Sequence, residues 1–438
     1  MKWLRWTLTI LAAMVGGAVL RLVRRAFRRP PRIWHGFSPL HATSWMVAAE
    51  RAAGYPSLSV IMNLRKLRYP LVRSDDFDAV FEAAGEREDD AHWRGLVHLL
   101  WNADIWNAYF DSIFFRHDEH AKNTIVFRLI RLAGIRIVVQ PHGSDLLCLG
   151  RYASRYAWPE RAQKDYPLWD LSAYRAVVET RVDLFTRFAH LVLAGDSIYE
   201  EILPRWDLSF HTVPVDTDAL RPVDQPEHRI PVIIHAPNHR NVKGTDVLLE
   251  ALETLRKRGF EYELRLIEGV ARDRALAMYA DADVIADQFM IGAFGIFALE
   301  GLALGKPVLT YLDEQHLRRS QYVHPIVNTT PENIVGVLAA LHAVPELRIR
   351  IGTASRASVV KYQSFESLMG VWSRIYDHVW WGTPLDVSTT APFSTERAAR
   401  SLSEDPALPE FWPIAPGDLI VRIRAALQRV GWKFSSRQ

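Results

Sequence analysis

From Arg32 onward the chain alternates short apolar runs with longer stretches whose apolar residues recur at helical spacing. The first runs are RIWHGF, SLSVIM, RIVVQPHGSD and LVLAGD, with helices expected near Thr43 to Ala53 and Ser172 to Phe188. A polar, Pro-rich joint from Pro214 to Pro231 follows, and the pattern then restarts with PVIIHAP, YELRLIEG, DVIADQF and PVLTYL. Helices are expected between these runs, from Thr245 to Arg258, near Asp273 to Ala280 and near Ile296 to Leu304. Repeated strand, helix, strand succession predicts parallel α/β sheets, here two doubly wound Rossmann-like domains in tandem without a detectable sequence repeat. The expected boundaries are 1–29 for an N-terminal segment, 30–222 and 223–380 for the two domains, and 381–438 for a tail. Ligands of such folds bind outside the carboxyl ends of the strands, so candidate chemistry belongs on the loops that follow these runs.

The two ends differ from this middle. Trp6 to Leu20 (WTLTILAAMVGGAVL) carries no charge, while Lys2 and Arg5 precede it and Arg21, Arg24, Arg25, Arg28, Arg29 and Arg32 follow. As a helix those fifteen residues rise about 22 Å, short of the roughly 30 Å of a bilayer core, although Arg5 and Arg21 extend the span if they snorkel. Three readings compete: a retained shallow or tilted membrane anchor, a cleaved signal peptide, and a buried N-terminal helix. The run leads into Arg-rich sequence with no convincing small-x-small cleavage site, which favours the retained anchor. Six arginines after the segment against two basic residues before it place the following domain on the cytoplasmic side of a membrane. At the other end, Asp386 to Pro416 is rich in Ser, Thr, Pro and acidic residues and reads as a linker. Beyond it Leu419, Ile420, Ile423, Leu427, Val430 and Phe434 recur at helical spacing opposite Arg422, Arg424, Arg429 and Lys433. This basic amphipathic helix either packs on the body of the protein or lies on an anionic membrane surface.

Composition narrows the class. With 438 residues, 49% of them hydrophobic and 24% charged, the chain is long and apolar enough for two or three domains with real cores, and wholesale disorder is excluded. Cys148 is the only cysteine, which rules out an intramolecular disulfide and a Cys-rich zinc site and fits a reducing compartment. Lys and Arg total 53 against 50 Asp and Glu, too even a balance to argue for nucleic acid.

Two stretches of the second series carry candidate chemistry. HAPNHRNVKGT, His235 to Thr245, follows an apolar strand and opens an amphipathic helix. Backbone N–H groups at a helix N-terminus favour an anion, Arg240 can grip phosphate oxygens bidentately, and Lys243 supplies a point charge. The alternative is a pair of solvated loop charges. DQFMIGAFGIFALEGLALGKP, Asp287 to Pro307, again lies between two strands. Gly292 and Gly295 let a ligand approach the backbone, the helix starting near Ile296 points its N-terminus at that ligand, and Glu300 can accept hydrogen bonds from ribose hydroxyls. The alternative here is an ordinary glutamate beside a glycine-lined packing contact.

Together and in this order, the two stretches resemble the donor-binding domain of retaining glycosyltransferases of the GT-B fold, family four. The resemblance covers roughly Arg32 to His378, and Lys243-Gly244-Thr245 and Gly295 to Pro307 are its most specific parts. It implies two Rossmann-like domains facing a cleft, with the acceptor on the side of the first domain and the nucleotide sugar on the second. Arg240 and Lys243 correspond to the cations that bind the donor diphosphate, and Glu300 to the glutamate that binds the ribose. Gly244, Gly292, Gly295 and Ile296 complete the expected donor-binding set. Many members carry a sugar-contacting glutamate eight positions earlier, where this chain has Gly292, as a subset of bacterial members does.

In the first series VVQPHGSD looks like the family's His-Gly-Ser/Thr-Asp/Glu loop, on Pro141, His142, Gly143, Ser144 and Asp145. The match implies that His142 reaches the sugar or the leaving phosphate; a capping or core-edge histidine is the alternative. By the same analogy His35, Gly36 and Phe37 border the acceptor side, and His211 to Asp216 resembles the interdomain crossing. The implied catalytic set is His142, Arg240 and Lys243. The implied mechanism needs neither a protein nucleophile, a metal nor a separate cofactor, since the leaving diphosphate helps deprotonate the acceptor on the same face. The expected partners are a nucleotide sugar, a hydroxyl acceptor that an anchor suggests is lipid-linked or part of the cell envelope, and the membrane, but no nucleic acid.

Other constellations are weaker. His117, Glu119 and His120, and likewise His235 and His239, have metal-type spacing but lack a convincing third ligand. Asp216 with Asp218 and Asp281 with Asp283 read as a turn and a helix end. No Gly-x-Ser-x-Gly elbow, Walker loop or Cys–His nucleophile motif stands out. The rival functions are a non-catalytic membrane scaffold that keeps the fold and another GT-B enzyme, such as an inverting transferase or a nucleotide-sugar epimerase.

Overall fold

The computed structural model describes residues 2–38, 40–62, 76–82, 88–116, 118–143, 145–146, 161, 164–165, 171–195, 197–223, 228–313 and 324–385. The linker and the basic helix expected within 386–434 lie outside the described residues, as do His117, Ser144 and Cys148. The chain folds as two compact units. The first gathers the described residues of Met1–Tyr152, Asp170–Pro214 and Leu368–Thr390, the second those of Ala153–Trp169 and Val215–Ser367.

The first unit holds a six-stranded parallel sheet of β1 (Ile33–Gly36), β2 (Ser57–Met62), β3 (Ala79–Phe81), β4 (Ile105–Tyr109), β5 (Arg136–Gln140) and β6 (Leu191–Val192). Its order is β3-β2-β1-β4-β5-β6, so chain direction across the sheet reverses between β1 and β4. Helices α1 (Lys2–Ala26), α2 (His41–Ala52), α3 (Glu88–Asn102), α4 (His120–Leu132), α5 (Leu171–Phe188) and α6 (Ser197–Ile202) accompany it. Every residue of β1 and β4 is buried, the pattern of parallel strands covered on both faces. Beneath β4 an aromatic core forms, with Trp106, Phe127 and Phe185 in mutual edge or tilted contact at centroid distances of 5.0 to 5.6 Å.

A buried polar chain ties this core to the end of the fold. Glu50 accepts from Ser57 Oγ and Tyr376 Oη and pairs with His35 Nε2 at 2.8 Å, while Asn107 Nδ2 donates to Tyr376 Oη at 3.1 Å. Tyr376 lies on the final described helix, Phe365–Trp381, whose residues from Leu368 belong to the first unit. His35 is therefore a strand residue with its ring in the core, which corrects the expectation that it borders an acceptor from a loop.

In the second unit five parallel strands, β7 (Val232–His235), β8 (Glu263–Leu266), β9 (Val284–Gln288), β10 (Val308–Thr310) and β11 (Val327–Asn328), lie in the order β11-β10-β9-β7-β8. The direction reverses between β7 and β9. Between them run α7 (Arg240–Lys243), α8 (Thr245–Lys257), α9 (Arg272–Ala280) and α10 (Ile296–Ala303), followed by α11 (Ile334–Ala343) and α12 (Pro345–Gln363). Helix α8 buries Leu248, Ala251 and Leu255, the stripe its spacing predicts. Gly305, at the Gly-Lys-Pro turn, has φ +68°, a conformation glycine adopts without penalty, and its carbonyl packs where a Cβ on Gly352 would stand. Both sheets are parallel and Rossmann-like, the α/β class read from the sequence.

The N-terminal apolar run is part of a longer helix. Among the described residues α1 has one stretch, Leu4–Ala26, long and apolar enough to cross a membrane. Arg21 does not snorkel: its guanidinium is buried and donates to the carbonyls of Ala133, Leu100 and Ala103. Helix α1 thus packs on the first unit.

Candidate functional site

Each sheet places polar groups at the carboxyl ends of the strands that flank its reversal point, where α/β folds bind ligands. In the second unit these strands are β7 and β9. His235, the last residue of β7, is fully buried; its Nδ1 donates to the Ala286 carbonyl at 2.7 Å and its Nε2 accepts from Thr245 Oγ1 at 2.9 Å. Burial lowers its pKa to about 4, so it serves as a neutral strut that fixes the start of α8 against β9. The chain then turns through α7 to Gly244, whose φ of +75° requires glycine and whose Cβ would press on Met290 and Phe289. The Phe289 amide donates to the Lys243 carbonyl at 3.0 Å, so the Lys243-Gly244 turn and the loop after β9 form one cradle.

Lys243 Nζ in that cradle pairs with Asp287 Oδ1 at 2.7 Å. The Asp287 side chain is completely buried, and its Oδ2 has no hydrogen-bond partner among the described residues. Gln288 shapes the loop itself: its Oε1 accepts from the amides of Met290 and Ile291, and its Nε2 donates to the carbonyls of Ala293 and Tyr311. Gly292, at φ +92°, sits on this loop in a conformation that a glutamate there would adopt only under strain.

Gly295 caps α10 with extended backbone, no side-chain cap, and open space within 4 Å of the position a Cβ would take. Glycine is not demanded by its dihedrals, and the bare N-terminus beginning at Ile296 is accessible to an anion. Glu300, one turn further, is 5% exposed and pairs with Arg272 of α9 at 2.9 Å. Burial raises its pKa to about 7, against the opposing pull of Arg272. It therefore titrates near neutrality.

Arg240 stands apart from Lys243 in its contacts. It is half-exposed and grips Glu268 through both Nε, at 2.8 Å, and Nη2. The amides of Asn241 and Val242, on the same turn, donate to the Asp165 carboxylate at 3.3 and 3.0 Å. A carboxylate thus occupies the anion position at this turn, which is consistent with the site's preference for negative charge.

In the first unit the reversal point lies between β1 and β4, and here the histidine loop meets the loop after β4. His142 Nε2 lies 3.1 Å from Asp111 Oδ2, and Ser38 donates to the other Asp111 oxygen. Asp145 accepts from the amides of His142 and Gly143 at 3.0 and 2.9 Å, which fixes the turn. Burial alone would lower the pKa of His142, but the Asp145 and Asp111 carboxylates outweigh it and raise it to about 9. The imidazolium in turn holds Asp111 down at about 2, against the effect of burial. The Asp111, His142 and Asp145 ligand-type atoms lie within 4.8 Å of one another, yet a charged ring between two carboxylates satisfies them as an ion-paired cluster.

Several of these partners were not singled out from sequence: Asp111, Asp165, Glu268, Arg272 and Asp287. Asp287 and Gln288 did leave a signal, as a polar pair closing the otherwise apolar strand VIADQ. Asp111 left none, because β4 (IWNAY) was not read as a strand. Asp216 accepts from the amides of Asp218 and Ala219 in a turn and Asp281 ends α9, while Asp283 accepts from the Val232 amide at the start of β7.

No protein-family profile matches the chain, and no curated protein matches its sequence. Solved structures share its fold. Sucrose-phosphate synthase from Thermosynechococcus elongatus aligns with a TM-score of 0.54 at 12% identity, over 81% of this chain and 100% of that one. The Anabaena HepE protein in complex with UDP aligns with a TM-score of 0.52 at 13% identity, over 78% and 98%. The catalytic domain of starch synthase IV from Arabidopsis thaliana, bound to ADP and acarbose, gives 0.50 at 12% identity, over 80% and 99%. The chain has the GT-B glycosyltransferase fold.

Proposed function

We propose that the protein transfers a sugar from a nucleotide-sugar donor to a hydroxyl acceptor with retention, in cell-envelope polysaccharide or glycolipid synthesis at the cytoplasmic face of a membrane. The observation that carries this reading is the construction of the second unit's reversal point. Lys243 is held there by Asp287, the open N-terminus of α10 begins beside Gly295, and Glu300 lies buried within the same helix. A diphosphate fits the first two and a ribose the third. The fold neighbours solved with UDP and with ADP support a nucleotide ligand.

In this scheme Lys243 and the α10 amides stabilise the charge that develops on the leaving diphosphate, and Arg240 joins them on release from Glu268. One diphosphate oxygen takes the proton of the acceptor hydroxyl as the new bond forms on the face the diphosphate leaves, so no protein nucleophile is required. His142, ion-paired with Asp111 and Asp145, is the catalytic candidate of the first unit. The membrane setting is supported by the apolar α1 and by the exposed Arg28 and Arg29 beyond its end.

The test is product stereochemistry. The full chain, supplied with a panel of nucleotide sugars and lipid-linked acceptors, should release nucleoside diphosphate and give a product whose anomeric proton coupling matches the donor. An inverted product, or an epimerised donor without transfer, contradicts the reading.

A further inference from the structure

Helix α1 has two unlike faces. One face, Ile10, Ala13, Gly17 and Arg21, is buried against the first unit. Its fit is close: a Cβ on Gly17 would lie 2.0 Å from the Leu100 carbonyl oxygen, and one on Gly16 would lie 2.1 Å from the Trp101 ring. Arg21 closes the contact by satisfying three carbonyls at the end of α3 and α4, with distances of 2.8 to 3.0 Å. Trp6 stacks on Trp93 of α3, so the contact runs along most of the helix. The opposite face presents Leu4, Leu8, Leu11, Val15, Val19 and Leu22, each between 51% and 68% exposed. Their spacing of three and four makes one continuous apolar stripe.

A helix that crosses a bilayer is surrounded by lipid or by other spanning segments on every side. Here α3, which begins Glu-Asp-Asp, lies along one side of α1. Undocking α1 to span would strip Arg21 of three acceptors, place its charge in hydrocarbon and leave carbonyls orphaned. Yet the outer stripe is a larger apolar patch than a water-facing helix ordinarily carries. The charge around it selects the occupant. Residues 1–32 contain no Asp or Glu, and exposed Arg5, Arg28 and Arg29 flank the stripe at its two ends.

We propose that α1 lies in the plane of an anionic membrane surface, its leucine and valine stripe among the acyl chains and its terminal arginines on headgroup phosphates, without crossing the bilayer. This rests on the membrane association proposed above and is independent of sugar transfer.

Flotation of the full chain with vesicles of phosphatidylglycerol and phosphatidylcholine tests the surface. Leu8→Ser/Val15→Ser/Leu22→Ser should bind at least tenfold more weakly at an unchanged unfolding midpoint, and Arg28→Gln/Arg29→Gln should bind several-fold more weakly with a flatter salt dependence. Unchanged flotation of both variants overturns the proposal. So does wild-type protein that stays in solution and pairs with a second copy through the stripe. Topology is read in inverted membrane vesicles from expressing cells, on a Cys148→Ser background. Arg5→Cys and Arg28→Cys should react with an impermeant maleimide at rates within about twofold, because both ends share one side. An Arg5→Cys site protected until the vesicles are lysed means a spanning helix and overturns the proposal. Nucleotide affinity, measured on the same variants, should not move, so a failure here is separate from any failure of the transferase reading.

Discussion

Lys243 Nζ meets Asp287 Oδ1 at 2.7 Å, joining the loop after β7 to the end of β9 at the point where the second sheet reverses direction. The carboxylate is wholly buried and the lysine partly so, and each holds the other in place. The pair holds in place the cation proposed above to meet a donor diphosphate.

Removing one partner should cost more than removing both. Lys243→Ala leaves the buried Asp287 carboxylate uncompensated, a loss of about 3–5 kcal/mol in unfolding free energy. Lys243→Ala/Asp287→Ala should recover most of that loss. Urea unfolding of the two single variants and the double variant checks this; additive losses in the double variant would show that the two residues do not act as a pair.

Glu300 should give two pH trends of opposite sign. Its native pKa, raised to about 7, lies above its unfolded value, so the native state binds the extra proton and stability falls as pH rises from about 4.5 through 7. The loss is on the order of 3 kcal/mol, and Glu300→Gln should abolish it. Nucleotide affinity should instead rise over the same interval, because the ionised carboxylate is the better acceptor for ribose hydroxyls. Unfolding midpoints and nucleotide titrations from pH 5 to 8 measure both; parallel trends would contradict the assignment.

For His142 the linkage has the same sign as for Glu300 but lies at higher pH. Its native pKa, raised to about 9, means that the stabilisation is fully present below about pH 6.5 and is lost as pH rises through 9. Asp111→Asn should shift the alkaline limb of turnover from about 9 toward 6.5, and His142→Ala should lower turnover more than nucleotide affinity. An unmoved alkaline limb in Asp111→Asn would remove the Asp111–His142 pair from the chemistry.

The parallel sheets were legible because buried strands such as PVIIHAP and DVIADQF are short, apolar and set between periodic helices. Strand β4 escaped notice because Asn107 interrupts its short apolar run, and Asp111 escaped with it. Charge pairing was not legible at all. Arg240 with Glu268 and Glu300 with Arg272 each join residues 28 apart in sequence, and only the folded sheet brings them together. The N-terminal helix was legible as apolar, but its docking face was not. Gly16, Gly17 and Arg21 acquire their meaning from the carbonyls and ring of α3 and from Ala133.

The central claim, that the second unit binds a nucleotide sugar through Lys243 and Glu300, is tested most directly by calorimetric titration of the full chain with UDP, ADP and GDP. One nucleotide should bind, and Lys243→Ala and Glu300→Ala should each weaken it by about 1.5–3 kcal/mol, roughly ten- to 150-fold, at temperatures where both variants remain folded. Binding that is unchanged in both variants, or absent for every nucleotide in the wild type, would contradict the account.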